Sequence, residues 1–359
     1  MANLNKIKKI ALAAAKREVP SEFSAEYNLD TVDAALAGEI GAMCTSINEF
    51  QRNKYDIFEI ITTVVDEIVP RKVTDRVSMF AEVRTVPQGQ RAVFRKKGLG
   101  RNRAKQFITQ VGLSGIYETF RLDSETFTVG AHAIGGGARL DFERFLDGAE
   151  TISEYMEIVT EGLEEATYYE IVKALQAAYN VANRPAVNKY ESNTFDSAEM
   201  QKLISIVKAY HDSAIIFACP EFVEAMGPDV LVPGTAGYQA IYSPRDLEDI
   251  ANYSRVRVFR GTPIVEIPQN FIDTTNEKTA INPQYAYILP AGGEKVVKIV
   301  FEGNTQVYDW VNPDNSIEIM TYKKIGSAIM THHDWCIYKN NGLEDTSASF
   351  YGFANDYDD

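Results

Sequence analysis

His332, His333, Asp334 and Cys336 lie within five residues of one another, and their types are those of metal ligands. Side chains alternate between the faces of a strand, so His332, Asp334 and Cys336 would converge on one side. A tetrahedral site needs a fourth donor that the neighbouring sequence does not supply, and beside Trp335 the group reads more simply as an ordinary strand. Cys219 and His211 have the composition of a thiol nucleophile and its base. Cys219, however, closes the apolar run that starts at Ser213, which favours a small buried hydrophobe. No phosphate-binding loop, HExxH, GxSxG, or GxGxxG leading into a helix occurs. The sequence therefore points away from an enzyme and calls for no cofactor and no metal.

Composition narrows the classes further. The chain has 359 residues, 45% of them hydrophobic, enough for about two domains of ordinary size. Its formal net charge is -14 and its sequence pI about 4.9, which excludes a protein that wraps nucleic acid over its whole surface. Cys44, Cys219 and Cys336 are odd in number, far apart and without CxxC spacing, so they read as reduced thiols of a protein made in a cytoplasm. No apolar run approaches a membrane span, and residues 1–17 lack the apolar core of a signal peptide, so no membrane partner is expected.

Against that acidic background, Arg84, Arg91, Arg95, Lys96, Lys97, Arg101, Arg103 and Lys105 fall in one stretch without an acidic residue. The flanks, Arg76–Val83 and Ile116–Val129, alternate polar and apolar residues as strands do, which makes the basic stretch the far end of a long hairpin. Arms of roughly 20 residues would reach ~65 Å, and an isolated ribbon is marginally stable in water, so the hairpin needs a neighbouring molecule.

The elements that would carry such a hairpin can be read in outline. Residues 1–18 form a basic amphipathic segment, with either an anionic target or a solvated terminus; 19–50 are of low periodicity; Asp56–Val69 begins the packed body and Pro70 ends that element. Gly135–Gly137 make a bend before a long helix, Ala149–Tyr179, of roughly 45 Å, with Ile152, Met156, Val159, Leu163, Ala166 and Tyr169 on its apolar stripe. Glu150, Glu154, Glu157, Glu161 and Glu164 recur on nearly the opposite face, to receive basic residues of a neighbour, to border packaged polyanion, or simply to meet solvent.

An α/β region follows: a helix over Ser197–Tyr210, a strand over Ser213–Cys219, a helix from Pro220, an exposed loop over Gly227–Tyr238 and a helix over Ser243–Tyr253. Strands are expected at Arg255–Arg260, Pro263–Ile267, Tyr285–Leu289, Val296–Phe301, Gln306–Val311, Ser316–Tyr322 and Ser327–Tyr338, with a turn at Gly303-Asn304.

This order of parts resembles the major capsid proteins of tailed bacteriophages, of the Hong Kong 97 type. The resemblance rests on the basic hairpin around Arg84–Val129, on Phe127-Thr-Val-Gly through Phe145-Leu-Asp-Gly148, on the helix to Tyr179, and on Ser213-Ala-Ile-Ile-Phe-Ala-Cys-Pro220. It implies an α+β fold with an N-terminal arm (1–50), peripheral-domain pieces (51–82, 135–195, 295–343), an extended loop (83–134), an axial domain (196–294) and an acidic tail (344–359). It further implies a structural subunit that forms hexamers and pentamers of itself in an icosahedral virion shell assembled in the host cytoplasm. Its partners would be a separate scaffolding protein, a portal protein and double-stranded DNA packaged against the glutamate face. The basic loop would meet an acidic surface of the adjacent peripheral domain. A covalent weld between Lys96, Lys97 or Lys105 and Asn340 or Asn341 beside Glu344 has no support from spacing, so non-covalent contacts are expected. An encapsulin-like compartment shell remains the alternative, and a soluble α/β enzyme a more distant one.

Overall fold

The computed structural model describes residues 4–16, 29–96, 125–140, 144, 152–182, 184–226, 258–292, 295–312, 316–330 and 333–348. Two mixed layers organise these residues: a four-stranded sheet covered on one face by helices, and a six-stranded sheet with its own smaller core.

Helices α1 (Leu4–Lys16), α2 (Leu29–Met43) and α3 (Ile47–Val77) open the chain. The first segment is tied to the body: Ile7, Ile10 and Ala11 are buried, while Lys8 pairs with Glu59 at 2.5 Å and Lys16 with Glu67. Two of its lysines thus meet carboxylates of α3, where the sequence allowed either an anionic target or a solvated terminus. Helix α3 starts at the Ser46 cap, whose Oγ accepts from the Glu49 N–H, and it runs through Pro70 instead of ending there. The local cost of a proline is overridden because Ile61, Val65, Ile68, Val69, Val73 and Val77 carry one buried stripe across it. The same helix reaches Val77 where a strand was expected from Arg76.

The first sheet has the order β1 (Ala81–Val86), β10 (Val297–Val311), β11 (Ile317–Ile329), β4 (His132–Leu140). Strand β1 lies parallel to β10, and the other two pairings are antiparallel. Helix α4 (Ile152–Ala177), expected over Ala149–Tyr179, lies with α3 on one face, where the Tyr155 hydroxyl donates to the Ile319 carbonyl at 3.1 Å.

Two expectations fail here for physical reasons. Gly303-Asn304 is a bulge inside one continuous β10, not a turn: Gly303 takes φ 68°, and the residues after it are held to α3 by Asp66, which accepts from the Thr305 N–H at 3.0 Å and the Thr305 hydroxyl at 2.6 Å. Gly135–Gly137 are mid-strand in β4, not a bend. A Cβ at Gly135 would meet the Thr321 carbonyl oxygen at 2.3 Å, so glycine there permits close approach of two backbones.

The second sheet has the order β5 (Lys189–Ser192), β12 (Cys336–Asn340), β9 (Tyr285–Pro290), β6 (Ala214–Ala218), β8 (Thr262–Glu266), β7 (Val258–Phe259). Helices α5 (Ser197–Tyr210), capped by Asp196, and α6 (Pro220–Ala225) stand with it. The expected last strand, Ser327–Tyr338, divides: its first residues end β11, residues 333–335 bend, and β12 crosses to the second sheet beside β5. The second sheet thus draws in 189–192 and 336–340, segments that sequence grouped with the body. The expected helix at 243–253 and loop at 227–238 lie outside the described residues.

Strands β2 (Ala92–Lys96) and β3 (Glu125–Val129) form a separate antiparallel pair, with Phe94 opposite Phe127 and Lys96 opposite Glu125. They begin the expected hairpin.

Candidate functional site

The root of that hairpin is built on a few charges around one ring. Phe94, 1% exposed, packs with Ala92 and Val129 on Val300 of β10, and its ring lies 5.6 Å from that of Phe127. The Arg84 guanidinium is 4.5 Å from the Phe94 ring centroid and Lys298 Nζ is 5.4 Å away. Glu82 joins both cations, accepting from Arg84 Nε at 2.7 Å and from Lys298 Nζ at 2.5 Å. Arg84 also donates from Nη1 to the Val93 carbonyl at 3.1 Å, which ties β1 to β2. Burial works against the Glu82 charge, but hydrogen bonds and charge from Lys298 and Arg84 outweigh it and hold the carboxyl below its usual range. The turn between β1 and β2 is fixed separately: Gly89, at φ 81°, donates to Glu302 Oε1 at 3.0 Å, and Lys324 pairs with the same oxygen at 3.1 Å.

Arg84 is therefore corrected from loop tip to sheet residue. The alternation of Ala81–Val86 is that of a strand, but its partner is β10, more than 200 residues away in sequence, and local periodicity carries no trace of such pairing. Arg91 and Arg95 are exposed beside the root and Lys96 lies in β2, whereas Lys97, Arg101, Arg103 and Lys105 fall outside the described residues.

Along α4, Glu154, Glu157 and Glu161 are exposed, with Ile158 beside them at 61%. Glu164 departs from the expected row: it is 7% exposed, with Oε2 3.6 Å from Lys72 Nζ. At about 100° per residue, ten residues carry Glu164 about 80° round from Glu154, towards α3. Glu150 lies outside the described residues. Burial, reinforced by Glu161 and Glu164, raises the Glu165 carboxyl above its usual range against a hydrogen bond with Asn270.

The described residues that suggested chemistry have partners within the fold. Asp334 faces His211 Nε2 at 3.3 Å, the His333 carbonyl accepts from Asn188 Nδ2 at 2.6 Å, and Arg184 stacks 3.8 Å over the Trp335 ring. Cys336 is wholly buried and its thiol is pushed up to about 12, chiefly by burial; Cys219 is likewise buried and raised further. His332 lies outside the described residues, and among those described no group of three His, Cys, Asp or Glu side chains is placed to hold a metal. Asn341 donates to Glu191 at 2.7 Å and Asn340 is buried. No described helix is long and apolar enough to cross a membrane.

Residues 6–330 match a protein-family model described as "SPbeta prophage-derived putative capsid protein YonB". The chain belongs to this YonB capsid-protein family. It is a structural protein and not an enzyme. No curated protein matches the chain. Among solved structures, the capsid of a native GTA particle aligns with TM-score 0.50 at 12% identity, over 74% of this chain and 90% of that one. The holo-SrpI encapsulin complex from Synechococcus elongatus aligns with TM-score 0.47 at 13% identity, over 79% and 91% of the two chains. The capsid of the Cyanophage P-SCSP1u gives 0.47 at 11% identity, over 75% and 86%. The fold is thus the Hong Kong 97-type capsid fold that the sequence resembled.

The least foreseeable feature of the chain is an ion pair under β10 that joins a buried lysine to a partly exposed carboxylate. Lys323, 2% exposed, reaches Asp66 of α3, the same carboxylate that holds the bulge at Thr305. The available signal was its register: Lys323 shares a strand face with Ile319, Thr321 and Ile325, all buried.

Proposed function

We propose that the chain is the major capsid protein of a tailed-phage-type particle, forming hexamers and pentamers that close into an icosahedral shell around double-stranded DNA. The observation that carries this reading is the rooted hairpin. A chain that leaves at Lys96 and returns opposite it at Glu125 makes a closed excursion of basic sequence, anchored in a body that is otherwise acidic. Opposite charge concentrated in this way steers and orients contact between copies. Arg95, Lys97, Arg101, Arg103 and Lys105 serve as the reaching surface, while Glu154, Glu157 and Glu161 border the packaged DNA and discourage adhesion. Assembly takes place in the host cytoplasm with a separate scaffolding protein and a portal protein.

The test is the double substitution Arg95→Glu with Lys97→Glu. Shells should be lost, by light scattering and electron microscopy, while circular dichroism and unfolding of the subunit change by less than about 0.5 kcal/mol. Normal particles from the double variant would overturn the assignment of the loop.

A further inference from the structure

Asn341-Gly342 is the one Asn-Gly pair in the chain, and it lies in an exposed turn just after β12. Asparagine before glycine is the pair most prone to cyclise, because glycine has no side chain to keep its backbone nitrogen away from the neighbouring carboxamide. The fold demands that glycine: a Cβ at 342 would meet the Asn193 carbonyl oxygen at 2.0 Å. Each group that the reaction would use is held by another partner. The Gly342 N–H, which must lose its proton, donates to Asn340 Oδ1 at 3.0 Å, and Asn340 is buried. The Asn341 carboxamide, which must be attacked, donates from Nδ2 to Glu191 Oε1 at 2.7 Å, and the Asn341 N–H donates to the Ser192 carbonyl at 2.7 Å. Glu191 is itself fixed on β5, where Oε2 accepts from the Tyr179 hydroxyl at 2.9 Å and Oε1 faces Lys339 Nζ at 3.4 Å. The bonds from Asn341 and Tyr179, with Lys339 beside them, hold its carboxyl below the usual range, so it is an ionised acceptor at neutral pH.

We infer that Asn341 is a site of spontaneous deamidation that the folded chain holds closed through Glu191 and Asn340. In the step itself the Gly342 nitrogen gives its proton to a solvent base and bonds to Asn341 Cγ, the Cγ–Nδ2 bond breaks, and ammonia leaves once Nδ2 has taken a proton from solvent. Water then opens the five-membered imide at either carbonyl and leaves aspartate or isoaspartate at 341, with one water consumed and one ammonia released. A carboxamide that donates to a carboxylate keeps electron density on its nitrogen, which strengthens the bond that must break, while the Asn340 acceptor retains the proton that must leave. The product sets a second carboxylate beside Glu191, which loses a donor and gains a like charge. The inference concerns the subunit and is independent of the shell reading.

The test is peptide-mapping mass spectrometry of the full chain after ageing at mildly alkaline pH, either folded or unfolded in guanidinium chloride. In the unfolded chain Asn341 should deamidate ahead of every other asparagine, and in the folded chain it should react slower by roughly tenfold or more. Glu191→Ala and, separately, Asn340→Ala should each regain a severalfold part of that rate while circular dichroism shows the chain still folded. Glu191 is exposed, so its variant decides the matter if the loss of buried Asn340 unfolds the chain. Equal rates at Asn341 in the folded and unfolded chain, another asparagine reacting first in the unfolded chain, or folded Glu191→Ala as slow as the unsubstituted protein would each overturn the inference.

Discussion

The two faces of the four-stranded sheet solve opposite problems with similar residues. On the helix-covered face, polar groups are few and fully committed: Lys323 and Thr305 are both given to Asp66, and Tyr155 to Thr321 and the Ile319 carbonyl. On the open face, Glu82 lies between the exposed Arg84 and the buried Lys298, which both flank the buried Phe94 ring, and Glu302 lies between Gly89 and Lys324, while Tyr308, Trp310 and Met320 are exposed. The contrast teaches how the helix-covered face and the open face each hold the subunit together. Each face buries one lysine against a partly exposed carboxylate, Lys323 on Asp66 and Lys298 on Glu82, but Asp66 also anchors the bulge at Thr305, so its loss costs more than the charge alone.

Breaking the covered face should have the larger effect. Asp66→Ala strands Lys323 in the core and frees the bulge of β10, and it should cost about 3 kcal/mol or more in chemical denaturation of the subunit. A loss below 1 kcal/mol would mean that the ammonium finds water, and that the two faces differ less than described.

On the open face the expected loss is smaller and depends on pH. Because the folded-state carboxyl of Glu82 is held below its ordinary value, its contribution is present above the unfolded carboxylate range, about pH 4.3, and disappears as pH falls through the lower folded value. Glu82→Gln should therefore lower stability by about 1 kcal/mol at pH 7 and by nothing in strong acid, read from denaturation midpoints across pH. Hydrogen exchange at β2 should quicken in the same variant, since Arg84 also holds the Val93 carbonyl.

The smallest effect sharpens the comparison from the spine helix. Glu165 has a raised folded-state value, so its ionised form is a penalty that is complete above that value and absent below the unfolded one. Glu165→Gln should stabilise the subunit slightly at neutral pH, and the gain should vanish on acidification. A gain that persists in acid would have to come from packing.

How much of this was legible in the sequence depended on the range of the forces involved. Helices α4 and α5 and strand β6 were readable because their buried stripes repeat locally, at spacings of three and four or as an unbroken apolar run. The charge contrast that suggested a shell was likewise a local fact. The parallel seat of β1 on β10, the passage of β12 to the second sheet, and the glycine contact between β4 and β11 all arise from long-range pairing, and no window of sequence contains both partners. Gly303-Asn304 misled for a related reason: a bulge and a turn ask for the same residues, and only the anchor at Asp66 decides between them. The same limit explains Arg84, whose charge fitted the basic loop while its backbone belonged to the sheet.

The central claim, that this chain is the subunit of a closed shell, is tested most directly by electron microscopy with light scattering on the purified chain, alone and then co-expressed with candidate scaffolding proteins. The account predicts hollow shells or rings of six and five subunits, with nucleic acid in filled particles marking a virion and a protein cargo marking a compartment. A stable monomer or small oligomer under every condition would contradict it.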